Sequence, residues 1–158
     1  MIRIFFISLL TASVLLACNN HKDDHSGHEG MAGKDGPKTA LDSLFDAVME
    51  EHNVVMPKMG KVKGARAQAQ AMLDSLAKLP AKAQTASAGL KTQLESLIND
   101  LSNADIEMDN WMTKFNMDSA LDNAELRMKY LLDEKVKVGK VKDAILNSLA
   151  KADSLLKK

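Results

Sequence analysis

The chain has 158 residues, with 21 Lys+Arg against 21 Asp+Glu, 46% apolar residues and one cysteine, which is ordinary globular composition with room for one domain or at most two. The balanced charge excludes the broad cationic field that a phosphate backbone demands, so nucleic acid is not an expected partner. Only 4% of the residues are aromatic, with 8 Gly and 3 Pro, which argues against a sandwich, a barrel or a low-complexity chain and for an all-α fold.

Residues 1–17 open with Met1, Ile2 and Arg3 and continue as an apolar run from Ile4 to Leu16. A run of about 13 residues suits the core of a signal peptide and falls short of the roughly 20 needed to cross a bilayer. This leader is expected to be removed. The segment Leu15-Leu16-Ala17-Cys18 resembles the lipobox of bacterial lipoproteins, in which the cysteine is acylated and becomes the first residue after cleavage. The one cysteine of the chain stands where that motif needs it. The resemblance implies two or three acyl chains on Cys18, enough for stable attachment to a lipid membrane without crossing it. No thiol is then left for a disulfide, and stability has to come from packing.

Residues 18–38 are expected to form a flexible tether, since Gly, His, Asp and Lys dominate and hardly an apolar residue occurs. Lys22-Asp23-Asp24 looks like the surface-export signal of Bacteroidota lipoproteins, and equally reads as a solvated spacer. Asn19 stands where inner-membrane retention signals carry aspartate, which favours the outer membrane of a cell envelope, on its periplasmic or its outer side. Within the tether, His21, His25, His28 and Met31 present three imidazoles and a thioether that suit copper or zinc. The alternative is plain tether composition, and unfolded ligands also lose affinity to the entropy of ordering.

Residues 39–158 read as a helical bundle. Leu41, Leu44, Phe45, Val48, Val55, Met59, Val62, Ala69, Leu73 and Leu76 recur at three- and four-residue steps, and Thr39 with Asp42 forms an N-cap pairing. This first helix is expected to reach about Leu79, with a kink at Pro57, where a backbone donor is lost, or a break into two helices softened by Gly60 and Gly64. The second stripe, Leu90, Leu94, Leu97, Leu101, Ala104, Met108, Trp111 and Phe115, alternates steps of four and three as a heptad seam does. A third helix is expected from an Asp118-Ser119 cap to about Leu156, with Leu121, Ala124, Met128, Leu131, Val138, Ile145 and Leu149 facing inward. Three such helices bury their stripes by folding back antiparallel into an elongated three-helix bundle about 55 to 60 Å long at 1.5 Å per residue. Arg66, Lys135 and Lys142 fall on or near the inner stripes, as long stems whose charges reach the rim.

A second group of metal-ligating side chains lies in the bundle. Met49, His52, Met56 and Met59 are spaced 3, 4 and 3 along one side of the first helix; Met108, Trp111 and Met112 group on the second, and Met128 on the third. Measured from the turn between helices two and three, Met49, Met108 and Met128 are expected at one level. Thioethers and an imidazole suit Cu(I), and an indole face can shield or contact such a cation. A His and a Met from facing helices also ligate haem iron, but the chain has no attachment cysteines and a narrow core. The competing reading is packing, because Met is a flexible filler of helical cores and a lone histidine there is usually just hydrogen-bonded. There is no Gly-rich phosphate loop, no cysteine pair, and no Ser or carboxylate pair set by spacing beside His52, so an enzyme is not expected.

The residues Val48-Met49-Glu50-Glu51-His52, Val55-Met56-Pro57-Lys58-Met59-Gly60, Trp111-Met112 with Phe115, and the ending Ser148 to Leu156 resemble a group of small helical lipoproteins of Bacteroidota, some labelled "viral A-type inclusion protein". The resemblance covers most of residues 40–158 and implies an envelope lipoprotein, with no activity or ligand set attached. The expected role is therefore non-catalytic binding or scaffolding, through an envelope protein partner or self-association, with copper binding as the rival reading.

Overall fold

The computed structural model describes residues 37–157. The leader, Cys18 and the tether residues His21, His25, His28 and Met31 lie outside them. The described residues are helical throughout, with short turns between helices: α1 is Ala40–Val55, α2 Met59–Ala77, α3 Ala81–Ala86, α4 Ala88–Lys114 and α5 Ala124–Leu156. None is long and apolar enough to cross a membrane.

The expected cap is present in full. The Thr39 hydroxyl accepts from the Asp42 backbone N–H, and the Asp42 carboxylate accepts from the Thr39 N–H, so two donors at the start of α1 are satisfied reciprocally. At Pro57 the expected break into two helices is observed. One 3₁₀ turn, Met56–Lys58, joins α1 to α2, a tighter winding that accommodates the missing donor. Gly60 and Gly64 both lie within α2. At the far end Pro80 caps α3, and the Gln84 side-chain amide donates to the carbonyls of Ala77 and Leu79, covering the exposed end of α2. The α1–α2 rod, α4 and α5 are the three members of the expected bundle.

The third helix starts later than its apolar pattern suggests. Asn116 Oδ1 accepts from the Asp118 N–H, closing a local turn, and Ala120 has a φ of 55° that no right-handed helix admits. Asn123 supplies the cap instead, accepting from the Leu126 N–H. Leu121, expected inside, is exposed in this loop.

Ring and polar contacts define the register. Phe45 lies 6.3 Å from Phe115 and His52 5.5 Å from Trp111, so α1 rises as α4 descends. Trp111 bonds Glu134, Phe115 packs on Tyr130 and Asp100 pairs with Lys151, so α5 is antiparallel to α4. The centre is filled by Val48, Val55, Val62, Leu94, Leu101, Met108, Leu131, Val138 and Ile145, all essentially inaccessible. Each contributes about 1.5–3 kcal/mol relative to an exposed position.

Candidate functional site

The seam of α5 carries three polar residues among its apolar ones, Arg127, Glu134 and Ser148, all buried. Each has a partner. Arg127 donates to the Ser119 carbonyl and lies over the rings of Phe45 and Tyr130; the Ser148 hydroxyl bonds the Ile145 carbonyl. Glu134 accepts from the Trp111 indole N–H at 2.9 Å and from Lys137. Lys137, held by Asp133 and Glu134, has its pKa pushed above the usual lysine range.

Around Trp111 an aromatic chain runs across the bundle. Trp111 stacks on Phe115 at 4.8 Å, Phe115 meets Phe45 and Tyr130, and His52 packs on Trp111 from α1. The Asn116 N–H donates to the Tyr130 hydroxyl. These are all the aromatic rings of residues 37–157, gathered at the end where α1 begins and α4 turns into α5. The His52 ring is half-buried, with Nδ1 3.1 Å from Asn53 Oδ1. The tautomer with Nδ1–H donating to that oxygen leaves the Nε2 lone pair free.

The candidate ligands separate into classes. His52 and Trp111 touch. Met49 and Met56 are half-buried on the same flank of α1 as His52. The Met56 backbone N–H bonds the His52 carbonyl, so helical spacing persists through Met56. Met108 is fully buried, Met59 is 9% exposed, Met112 is exposed at 38%, and Met128 is half-buried on α5. Along the register set by Phe45–Phe115 and His52–Trp111, Met56 is level with Met108 and Met49 with Met112. Met128 does not share that level. Tyr130 already sits opposite Phe115, so Met128 lies beyond the end of α4, displaced because residues 116–123 are turns rather than the first turns of a helix. Among the described residues no group of three or more His, Cys, Asp or Glu is arranged to hold a metal; metal chemistry there depends on thioethers and His52.

A fourth buried polar residue lies on α4, where apolar periodicity does not register it. Asp105 on α4 is buried, with Lys63 and Arg66 of α2 at 3.7 and 3.6 Å, and its Oδ1 accepts no hydrogen bond. Arg66, read as a rim-reaching stem, is half of that cationic pair. Lys142 likewise reaches across helices, to Glu51 of α1, and this hydrogen bond raises its pKa above the usual lysine value. Lys135 is exposed.

Large apolar side chains remain on the surface: Met117, Leu121 and Leu126 around the α4–α5 turn are more than half exposed, as are Ile106 on α4 and Leu132 and Val136 on α5. Among the described residues an open depression of about 350 Å³ lies between α2 and the start of α4, lined by Gln68, Met72, Leu76 and Leu90. Compared with protein-family models, curated proteins and solved structures, the chain matches none.

Proposed function

We propose that this chain is a cell-envelope lipoprotein, anchored in the outer membrane through acylated Cys18, whose bundle is a non-catalytic binding or scaffold module. The anchoring half is supported by Leu15-Leu16-Ala17-Cys18 behind an apolar leader. The observation that carries the binding half is the set of exposed apolar residues Met117, Leu121 and Leu126 at one end of the bundle. That is the end at which the chain enters α1 from the tether, since Phe45, Phe115 and Arg127 meet there. Exposed apolar surface of this kind marks interaction sites on otherwise polar proteins. A scaffold role is further supported by the buried polar residues Arg127 and Glu134, which tie α5 to the α4–α5 loop and to α4.

Mass spectrometry of the mature amino terminus tests the anchor: an acylated Cys18 is expected, and a bare thiol or a retained leader refutes it. Crosslinking in intact cells from position 121 tests the binding role. A discrete partner or a self-associated species is expected, and a monomer without partners contradicts it.

A further inference from the structure

The flank of α1 on which Phe45 and His52 meet rings of α4 also carries Met49, and Met56, the first residue of the 3₁₀ turn, continues it at steps of four, three and four. Residues three and four apart on a helix have Cβ atoms about 5–6 Å apart, and the bond from the Met56 N–H to the His52 carbonyl keeps that spacing to the end of the series. Glu51, one position round the helix from His52, is taken up by Lys142 of α5, so the charged pair occupies the α5 side and leaves the α4 side to sulfur and imidazole. There the His52 ring lies 5.5 Å from the Trp111 ring.

We propose that Met49, His52 and Met56, covered by the Trp111 indole, form a binding site for monovalent copper. Two thioethers and one neutral imidazole are soft and borderline donors of the kind Cu(I) selects, and hard divalent ions do not favour such a set. All three side chains are half-buried, open enough for the ion to enter and shielded enough to weaken competition from water. Asn53 Oδ1 engages Nδ1 of His52, which fixes the tautomer and leaves Nε2 available to the ion, the usual arrangement of a ligating histidine. The indole contributes through the attraction of a cation to a π face. Its N–H donates to the buried carboxylate of Glu134, which raises the electron density of the ring and strengthens that attraction. Met108 and Met112, level with Met56 and Met49 on α4, are the nearest further thioethers along the register. The site is independent of lipidation.

The test exploits Trp111 as the only tryptophan in the chain. The full-length mature protein is titrated anaerobically with Cu(I) against a competing chelator, and Trp111 emission is followed. One equivalent is expected to quench it. Met49→Leu with Met56→Leu, which preserves volume and removes sulfur, and separately His52→Ala, are expected to weaken binding at least tenfold while circular dichroism stays unchanged. Replacing His21, His25 and His28 together by Ala is expected to leave the quenching curve in place. Unchanged Trp111 emission at stoichiometric Cu(I) overturns the site, as does wild-type affinity in the double Met variant. Quenching lost with the tether histidines and retained without the two thioethers also overturns it, by assigning the metal to the tether. Should His52→Ala fail to fold, Ag(I) titration of the wild type, read from the His52 imidazole and Met methyl resonances, decides the matter: shifts confined to these residues support the site, and their absence refutes it.

Discussion

The indole nitrogen of Trp111 donates to the carboxylate of Glu134, 23 residues further along the chain, at 2.9 Å inside the bundle. Trp111→Phe keeps the stacking on Phe115 but leaves this buried carboxylate with Lys137 alone. Losing a bond to a buried charged acceptor costs about 1–3 kcal/mol. Thermal unfolding by circular dichroism should therefore show a midpoint several degrees lower, whereas Glu134→Gln, which retains an acceptor oxygen, should lose less. Equal losses in the two variants would contradict this account.

Asp105 predicts the opposite sign. Its carboxylate is buried, but its cations stand at 3.6 and 3.7 Å and are themselves substantially exposed. Removing the acid leaves Lys63 and Arg66 free to hydrate, while keeping it retains the desolvation penalty. Asp105→Leu should thus be neutral or stabilising by about 1 kcal/mol. Arg66→Ala, which reduces the compensation for a buried charge, should destabilise. Urea titrations of both variants provide the check.

Two backbone positions predict gains. Gly64 lies in the interior of α2, and a Cβ placed there meets nothing within 4 Å, so Gly64→Ala should stabilise by about 0.5–1 kcal/mol. Ala120, at a φ of 55°, holds a conformation that costs an L-residue roughly 1–2 kcal/mol, so Ala120→Gly should be neutral or stabilising and Ala120→Val clearly destabilising. Chemical unfolding distinguishes them.

The hydrogen bond from Lys142 to Glu51 raises the lysine pKa from its usual 10.5. A group whose folded value is raised contributes stability that is complete below the unfolded value and is lost as pH climbs through the folded one. The unfolding midpoint should therefore hold below about pH 10 and fall above it, and Lys142→Met should flatten part of that alkaline decline. A variant whose alkaline limb matches the wild type would remove this pair as the cause.

Much of the architecture was legible because α4 is an unbroken apolar heptad: Leu94, Leu97, Leu101, Ala104, Met108 and Trp111 are all buried as their spacing requires. The α5 seam was only half legible. Its inward positions include Arg127, Glu134 and Ser148, which a hydrophobic pattern cannot register, and so the pattern favours Met128 and Leu149 over neighbours that go deeper. The short α3 is not legible in the pattern, because Pro80 reads equally as a stop or a start. At the candidate site, His52, Met49, Met56 and Trp111 could be picked out by chemistry alone. That His52 meets Trp111 could not, since it depends on the α1–α4 register, which the 3₁₀ turn Met56–Lys58 and the connection around α3 set and apolar spacing does not encode.

The polar members of the α5 seam have a consequence for the company this helix can keep. A seam of leucines alone would accept many foreign coiled-coil strands, or its own neighbours slid by one heptad, at small cost. Here such a mismatch would part Glu134 from the indole N–H of α4 and leave this buried carboxylate with Lys137 of its own helix as its remaining partner, a cost that apolar seam positions do not carry. The helix is thereby made discriminating: among other helical rods it can settle in its own alignment and is repelled from the rest.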